Sequence, residues 1–347
     1  GGKEVADEHK GTNKIFDKLD KKYRRKVFHS SDPVRGGGIT HLAIVIHNDS
    51  LANLPDSLNH VPIIVKPKDC MPKDYIKNNI KNNVKSINKW LVKGRPHGET
   101  MIIVSGGPSF LKYKDYLKKT NHKIMCVKHS LPMLLKEGIV PWACNILDPR
   151  PIEGTSTHGI VRKDLFKDIP EEMIFFVSTM TDISVVKHLQ NKKASIIGWN
   201  AYSDAIIERT NQQNKVVIDE KLGVPENTVL LTGGTCAAMR AISVGHTLGF
   251  RNFKLYGFDC SVPEPKDKDE KDDTGKNKYL FVTTNEKKFW TTGELLAMAQ
   301  DCEKLFERQD IDIHMEMYGE GTLVSELWKT KGREQHPKYE DTLSNIS

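Results

Sequence analysis

From residue 101 onward, short apolar runs alternate with segments of helical periodicity, and this alternation constrains the fold more than any other feature of the sequence. Runs such as MIIV and IFFV are apolar at every position, which is typical of strands that are buried on both faces of a sheet. Strands that alternate with helices indicate parallel strands joined by crossover helices. The sequence therefore predicts an α/β fold with a Rossmann-like, doubly wound and mostly parallel sheet and helices on both faces.

The alternation can be divided into individual elements by the length and composition of each run. The predicted strands are Met101–Val104, Ile124–Val127, Ala143–Leu147, Ile174–Val177, Ser195–Ile197, Val229–Leu231, Phe253–Tyr256 and Ile311–Met317. The predicted helices are Phe110–Lys118, Leu131–Lys136, Ile183–Gln190, Tyr202–Arg209, Thr235–Leu248 and Gly293–Arg308.

Other parts of the chain have a different character. Residues 1–38 are polar and charged, and we predict that they form a flexible or covering arm. Two apolar runs, Leu42–Ile46 and Val61–Val65, predict buried strands, and the apolar residues of Asp74–Leu91 fall on one face of a predicted helix. The polar insertion at residues 263–278 is predicted to be a solvated loop or a lid over a ligand.

These elements predict how the chain is divided. At 347 residues it is long enough for two domains. We predict an arm over residues 1–38, an N-terminal α/β extension over 39–98, a Rossmann-like nucleotide-binding catalytic domain over 99–325 and a C-terminal tail over 326–347. This division keeps the alternating strands and helices together, because they are expected to form one sheet.

Charge and cysteine content narrow the class of protein. The 52 basic and 45 acidic residues give a formal net charge of +7, a modest surplus that is compatible with a polyanionic partner but does not require one. The six cysteines are widely spread without a CxxC pair, which indicates a reducing compartment and argues against structural zinc. The sequence opens without a charged-then-apolar leader, and its uncharged apolar runs are shorter than the roughly 20 residues of a membrane span. We therefore expect a cytoplasmic protein without a membrane span.

Ligands of open α/β sheets bind beyond the carboxyl ends of the strands, so the residues after each apolar run are the candidates for function. The first candidate is Gly106, Gly107, Pro108 and Ser109, which follow the run MIIV. Two glycines permit a close backbone approach, and Pro and Ser suit the first turn of a helix, whose N–H groups bind anions. The turn lacks the lysine of a P-loop and the third glycine of the dinucleotide fingerprint. It is predicted to be a phosphate site or a purely structural turn.

Two further candidates follow the next strands along the chain. His129 lies in the segment Lys128–Ser130 that follows the run ending at Val127, where it could contact a phosphate, transfer a proton or make a structural hydrogen bond. Asp148 ends the run ACNIL and precedes Pro149. Its carboxylate could hold a ribose hydroxyl, a sugar hydroxyl or Mg²⁺, or it could cap the turn.

The fourth candidate combines a glycine-rich turn with a helix. Thr232, Gly233, Gly234 and Thr235 precede a helical segment rich in Ala, Ser and Gly, whose small residues permit close packing on the sheet. Asp259 ends a strand in the same way as Asp148. We therefore predict that two glycine-rich turns and two aspartates meet at one edge of the sheet.

Four blocks of this sequence resemble the MptE-like superfamily. That superfamily includes archaeal 6-hydroxymethylpterin diphosphokinases and bacterial motility accessory factors, and it is more distantly similar to bacterial sialyltransferases. The blocks are IIVSGGPSF, CVKHSLPMLLKEGIVPWACNILDPRP, LTGGTCAAMRAISVGHTLGFRNFKLYGFDCS and FWTTGELLAMAQDCEKLFERQDIDIHMEMYGEGTL, within residues 101–323. The resemblance implies a Rossmann-like fold that binds a nucleotide.

The same resemblance implies roles for individual residues. The turn at residues 106–109 would cradle phosphates, His129 and Ser130 would approach the nucleotide or the substrate, and Asp148 would hold sugar hydroxyls or a metal. The remainder of the pocket would come from Thr232, Gly233, Gly234 and Thr235, with Asp259 and Cys260 on its floor. The sialyltransferase-like relatives use a histidine base downstream of the strand that here ends in Asp259, whereas residues 279–292 contain no histidine.

The sequence thus favours a nucleotide-dependent transferase, and in particular a glycosyltransferase with a nucleotide-sugar donor and His129 or Asp148 as general base. The first alternative is an ATP-dependent pyrophosphokinase acting on a pterin-like alcohol, in which Asp148 and Asp259 would serve Mg²⁺. A nucleotide-binding protein without catalysis is a second alternative. The lysines between Lys66 and Lys93 suggest a third, a glycosyltransferase that modifies DNA. The acceptor, which could be a glycan, a protein or a nucleic acid, and the oligomeric state stay open.

Overall fold

The computed structural model describes residues 43–45, 61–62, 71–153, 163–209, 216–225, 228–234, 236–267, 279–308, 311–332 and 337–341. These residues belong to two compact units. The larger unit draws on residues 69–258, 309–318 and 335–347, and the smaller unit draws on residues 1–68, 259–308 and 319–334. The predicted arm at 1–38 and residues 268–278 of the predicted loop lie outside the described residues. The predicted domain boundaries stay a prediction.

The elements among the described residues are numbered in chain order. The strands are β1 (Ala43–Val45), β2 (Val61–Pro62), β3 (His97–Val104), β4 (Lys123–Val127), β5 (Ala143–Ile146), β6 (Ile174–Ser178), β7 (Ser195–Ala201), β8 (Ile207–Arg209), β9 (Val216–Ile218), β10 (Leu230–Leu231), β11 (Phe250–Tyr256), β12 (Leu280–Thr284), β13 (Lys287–Thr291) and β14 (His314–Met317). The α-helices are α1 (Lys73–Ser86), α2 (Lys114–Lys119), α3 (Ser130–Lys136), α4 (Ile183–Asn191), α5 (Ala237–Thr247), α6 (Gly293–Glu307) and α7 (Leu323–Lys331). Short 3₁₀ helices cover Pro108–Tyr113, Lys163–Phe166 and Glu220–Leu222.

The larger unit contains an eight-stranded sheet in the order β10-β7-β6-β5-β4-β3-β11-β14. Every neighbouring pair of strands in this sheet is parallel. Each strand predicted between residues 101 and 317 is observed, with ends shifted by a few residues. The predicted α/β class and Rossmann-like parallel sheet are therefore confirmed.

Continuous apolar runs bury the central strands on both faces. Met101, Ile102, Ile103 and Val104 of β3 are all 0% exposed, although successive residues of a strand point to opposite faces. On one face, Ile102 and Val104 join a core cluster that includes residues of α3 and α4. A Cβ added to Gly245 of α5 would lie 2.8 Å from a Phe253 ring atom, so this glycine brings α5 close to the sheet, as the small residues predict.

The order of the strands identifies where the chain changes direction across the sheet. From β3 the chain adds β4, β5, β6, β7 and β10 on one side, and it then returns to place β11 on the other side of β3. Doubly wound sheets bind ligands at such a switch point, beyond the carboxyl ends of the strands. The turns after β3 and β11 therefore border the expected binding crevice.

One predicted helix in the larger unit is wrong. Residues 202–206 form a turn, and β8 follows it and pairs with β9 in antiparallel orientation. Ile206 and Ile207 are buried in a cluster with Ile76 and Ile80 of α1. Burial against a distant helix therefore outweighs the weak helical periodicity of this segment.

Helix α1 ends at Ser86 instead of continuing to Leu91 as predicted. Beyond Ser86 the backbone pairs with β7 instead of continuing the helix. The Leu91 N–H donates to the Gly198 carbonyl at 2.9 Å, and the Gly198 N–H donates to the Lys89 carbonyl at 2.8 Å. A Cβ on Gly198 would lie 2.8 Å from side-chain atoms of both Ile87 and Trp90. The missing side chain at Gly198 therefore permits this close approach.

The smaller unit contains a four-stranded antiparallel sheet in the order β13-β12-β1-β2, together with α6 and α7. The hairpin β12-β13 and helix α7 were not predicted. The hairpin turns through Asn285 and Glu286, whose φ angles are 50° and 63°, values that suit a two-residue turn but normally favour Asn-Gly. Across both units, the described helices include none that is long and apolar enough to cross a membrane.

Candidate functional site

Four of the predicted functional segments follow parallel strands of the larger unit. These segments are Ser105–Ser109 after β3, Lys128–Ser130 after β4, Asp148–Arg150 after β5 and Thr232–Gly234 after β10. Because the strands are parallel, all four segments begin at the same edge of the sheet. The first three follow neighbouring strands and therefore lie side by side.

The fourth segment is linked to the other three by a hydrogen bond at the first residue of α5. Strand β10 lies at the end of the sheet, far from β3. The side-chain amide of Asn145 in β5 donates to the Ala237 carbonyl at 2.8 Å, and the Asn145 side-chain oxygen accepts from the Trp199 indole at 3.0 Å. This buried link places the first residue of α5 at β5, next to the segment that contains Asp148. Asn145 was not among the predicted site residues.

The centre of the candidate site is a cluster of three charged side chains, Lys128, Asp148 and Arg150, which we call the charged triad. The Lys128 ammonium contacts Oδ2 of Asp148. Arg150 donates from Nη2 to Oδ2 at 2.5 Å and from Nε to Oδ1 at 2.9 Å. The side chains of Lys128 and Asp148 are each 11% exposed and that of Arg150 is 25% exposed. Two cations therefore share one carboxylate, and the formal charges of the charged triad sum to +1.

A net positive, partly exposed cluster is suited to phosphate oxygens. Arginine offers donors in a planar fork that fits phosphate, and lysine adds a compact charge. Arg150 and the pairing of Lys128 with Asp148 were missed in the sequence, although Arg150 stands two residues after Asp148 in the DPR motif. The Arg150 backbone N–H also donates to Oδ1 of Asp148 at 3.0 Å, so the short turn itself brings the two side chains together.

The turn after β3 is held against the end of β11. The Ser105 N–H donates to the Tyr256 carbonyl at 2.9 Å, and the Gly107 N–H donates to the Gly257 carbonyl at 2.8 Å. Pro108 and Ser109 begin a 3₁₀ helix of six residues instead of the predicted α-helix. Phe110 is fully buried within this short helix, so packing of its ring accompanies the tighter turn.

His129 and Ser130 differ in their surroundings. His129 is exposed at the start of α3, and its Cβ lies 3.3 Å from the position of a Cβ added to Gly106. Ser130 is fully buried, and its hydroxyl donates to the Val104 carbonyl at 2.8 Å and accepts from the Val127 N–H at 3.1 Å. His129 therefore lies beside the glycine turn at the surface, while Ser130 joins the ends of β3 and β4.

The second glycine turn is held by a buried arginine. The Arg240 guanidinium donates to the carbonyls of Leu231 and Gly234, the latter at 2.7 Å. Gly233 has φ +127°, and a Cβ at this position would lie 2.7 Å from Oγ of Ser243. Thr232 is exposed, Gly234 also has positive φ, and Thr235 lies outside the described residues. The turn thus requires glycine, and Arg240, which was not predicted, holds its carbonyls.

A second network fixes the backbone of the segment that carries Asp148 and Arg150. The Asp182 N–H donates to the Asp148 carbonyl at 3.3 Å, and the buried Asn79 amide of α1 donates to the Pro149 carbonyl at 3.4 Å. Tyr75 of α1 donates its hydroxyl to the Asp182 carboxylate. Helix α1 therefore supports the loop that presents the charged triad. The sequence gives no local signal for this role, because the contacts join residues far apart in the chain.

The hydrogen bond between Tyr75 and Asp182 leads to a testable pH effect. Burial and the neighbouring Asp182 carboxylate raise the pKa of the Tyr75 hydroxyl from 10.0 to about 12. A pKa that is higher in the folded state favours the folded state below pH 10, and this contribution is lost as the pH rises toward 12. We expect Tyr75→Phe to remove one tyrosine that ionises near pH 12 in an ultraviolet titration. Disappearance of a tyrosine that ionises near pH 10 would contradict the assignment.

Asp259 and Cys260 belong to the smaller unit and are buried there. The Asp259 carbonyl accepts from the Val324 N–H at 3.2 Å, and the Cys260 carbonyl accepts from the Thr291 hydroxyl at 2.8 Å. Cys260 adopts a positive φ of 56°, which is uncommon for a residue other than glycine. These contacts fix the backbone at Asp259 and Cys260 against α7 and β13, and their predicted roles toward a ligand stay predictions.

The described residues contain no group of three or more His, Cys, Asp or Glu side chains arranged to hold a metal ion. Asp148, which was predicted as a possible Mg²⁺ ligand, directs both carboxylate oxygens toward Arg150 and one toward Lys128. A cation at Asp148 would therefore compete with two resident positive charges. Whether Mg²⁺ takes part in the reaction stays a prediction.

Comparisons with known proteins give a family match and show similarity to solved structures. The family model described as "6-hydroxymethylpterin diphosphokinase MptE-like" matches residues 74–265, which is more than half of the chain. No curated protein matches the chain. A solved structure of a Maf glycosyltransferase from Magnetospirillum magneticum AMB-1 is similar with 13% sequence identity and a TM-score of 0.48. The similarity covers 71% of this chain and 37% of that structure, so the chain spans little more than a third of its length.

Proposed function

This chain belongs to the MptE-like family, and from this premise we propose that it is a transferase that moves a group from a nucleotide donor whose phosphates bind at the charged triad. The group that we propose is a glycosyl unit, carried by a nucleotide sugar. The observation that carries the proposal is the sharing of the Asp148 carboxylate by Lys128 and Arg150, two cationic side chains at the carboxyl edge of the sheet.

The position of the charged triad supports phosphate binding. Lys128 follows β4 and Arg150 follows β5, and the turn with Gly106 and Gly107 follows β3, the next strand of the sheet. Backbone without side chains lets phosphate oxygens approach closely, while the cations balance their charge. A donor with its phosphates beside the glycine turn would therefore place its leaving nucleotide against Lys128 and Arg150.

Glycosyl transfer builds negative charge on the leaving phosphate as the bond from the sugar breaks. Donors that already point at this position stabilise the charge without rearranging during the reaction. The bidentate contact of Arg150 with Asp148 holds its guanidinium in place, and the contact with Lys128 orients the ammonium. In this proposal Asp148 positions the two cations.

The acceptor hydroxyl must lose a proton, and His129 is the group that we assign to this step. Its side chain is exposed beside Gly106, and an imidazole nitrogen can accept a proton from a hydroxyl group. Asp148 is less suited to be the base, because its ion pairs with two cations stabilise the ionised carboxylate. The acceptor, whether a glycan, a protein or a nucleic acid, is not specified by these residues.

Transfer of diphosphate from ATP to a pterin-like alcohol is the second candidate, and the family description favours it. The charged triad would serve this reaction as well, because the transferred group is itself a diphosphate. The two reactions differ in their products and in the expected need for Mg²⁺. Phosphorus NMR separates them, since glycosyl transfer releases the nucleotide of the sugar donor, whereas the second reaction releases AMP and forms a diphosphate ester of the alcohol.

The proposed function is tested with the purified chain, a panel of nucleotide sugars and ATP, each with and without Mg²⁺. We expect one nucleotide sugar to bind and to be hydrolysed slowly when no acceptor is present. Formation of AMP from ATP would favour the diphosphokinase. Binding without turnover of any donor would favour the non-catalytic alternative, and failure of every nucleotide to bind would overturn the proposal.

A further inference from the structure

Helix α1 and the segment after it form a basic stretch of the surface. Between residues 73 and 95, seven side chains are Lys or Arg and one, Asp74, is acidic. The lysines recur at every fourth position, Lys73, Lys77, Lys81, Lys85, Lys89 and Lys93. Residues four apart lie on one side of a helix, so the helical lysines line one side of α1.

The opposite side of α1 packs against the rest of the larger unit. Ile76, Asn79, Ile80 and Asn83 are buried at this face. The Asn83 amide donates to the carbonyls of Thr179 and Thr181, at 2.9 and 2.6 Å. A buried amide that loses its hydrogen bonds lowers the stability of the fold, so these contacts fix the rotation of α1 about its axis. The lysines are therefore held toward solvent.

Four exposed lysines, Lys73, Lys81, Lys85 and Lys89, make no ion pair with any residue that the structure describes, and we call them the lysine row. Lys77 differs from them, because it is bonded to Asp219 at 2.9 Å and lowers the pKa of that carboxyl. The positive charges of the lysine row therefore repel one another.

The spacing of the charges indicates the shape of a ligand that would neutralise them. Residues four apart in a helix are separated by about 6 Å along its axis, so Lys73 to Lys85 spans about 18 Å. A single phosphate or carboxylate can meet one or two such ammonium groups. A linear polyanion with regularly repeated charges can meet all of them and release its counterions.

We propose that the lysine row, which lies on α1 and just after it, is a docking surface for the phosphodiester backbone of a nucleic acid. Three asparagines, Asn78, Asn82 and Asn88, lie exposed between these lysines, and amide groups also donate to phosphate and sugar oxygens. A helix that lies on a membrane presents a large apolar face to the lipid, whereas the apolar residues of α1 face the protein core. The row does not depend on the transfer chemistry proposed above.

The test measures binding of fluorescein-labelled DNA and RNA, single-stranded and double-stranded, by fluorescence anisotropy over a range of salt concentrations. We expect the logarithm of the binding constant to fall linearly with the logarithm of salt concentration. Replacing Lys73, Lys81, Lys85 and Lys89 together with glutamine is expected to weaken binding at least about a hundredfold at 0.1 M salt and to reduce the slope by about 3 to 4.

The matched control replaces four exposed lysines outside this segment, Lys112, Lys118, Lys119 and Lys136, with glutamine. It removes the same charge, and we expect it to retain most of the affinity. Equal losses in the two variants would overturn the proposal, because they would show a response to net charge alone. Absence of nucleic-acid binding, or binding of vesicles of anionic phospholipid in its place, would also overturn it. Nucleotide binding should be the same in both variants, so failure of the docking surface is distinguishable from failure of the proposed transferase.

Discussion

Replacing Lys128 with methionine is expected to lower kcat/KM for the nucleotide donor by about 10²- to 10³-fold, the usual effect of removing one donor that stabilises a developing charge. Methionine retains most of the length of the side chain and removes the ammonium. The Asp148 carboxylate would then be balanced by Arg150 alone, and the net positive charge of the charged triad would disappear. Steady-state kinetics, with calorimetric measurement of the donor dissociation constant, gives the size of the effect.

Two controls separate electrostatics from folding. Lys136→Met removes an exposed lysine at the end of α3 and should leave kcat/KM within about twofold. Arg150→Lys keeps the charge but loses the paired contacts of Nε and Nη2 with Asp148, so an intermediate loss is expected. If Lys128→Met retained full activity and full donor affinity, the charged triad would not be the phosphate site.

A second large effect is expected on stability when Gly257 is replaced with alanine. Gly257 has φ +70°, and a Cβ would lie 2.5 Å from the Ser105 carbonyl oxygen and 2.9 Å from the Gly107 carbonyl oxygen. The left-handed conformation and the clash with backbone atoms together should lower the free energy of unfolding by about 3 kcal/mol. Because the displaced atoms belong to the glycine turn after β3, donor binding should weaken as well.

Gly138→Ala is the matched control for this substitution. Gly138 has φ +75°, but a Cβ there would meet only Cε of Lys118, at 3.9 Å. The cost should therefore be about 1 kcal/mol, from backbone conformation alone. Urea denaturation followed by tryptophan fluorescence measures both variants. Equal losses in the two proteins would show that the contact between Gly257 and the turn after β3 is not tight.

The parallel sheet could be predicted because the composition of its central strands is visible in the local sequence. The runs in β3 and β6 are apolar at successive positions, and only strands covered on both faces have that composition. The hairpin β12-β13 was missed because its turn uses Asn285 and Glu286, without the glycine that normally marks such turns. The helix predicted over Tyr202–Arg209 was wrong because Ile206 is buried against α1, more than a hundred residues earlier in the chain.

The candidate site, like the fold, could be predicted only in part. The positions of the glycine turn after β3, of His129 and of Asp148 could be predicted, because each lies just beyond the end of an apolar run and parallel connectivity brings such positions to one edge. Their chemistry could not be read in this way. The sequence alone does not show that the Asp148 carboxylate is paired. In the structure it is contacted by Lys128, which follows the neighbouring strand β4.

Hydrophobic periodicity and strand connectivity, both local in the sequence, determined that this chain forms a parallel α/β sheet and which edge of it carries the candidate residues. Tertiary structure alone decided that Asp148 is shared by Lys128 and Arg150, that Asn79 and Asn83 turn the lysines of α1 toward solvent, and that Gly257 faces the glycine turn. The physical reason is that charge balance, hydrogen-bond satisfaction and close backbone contact depend on distances between residues that are remote in the chain.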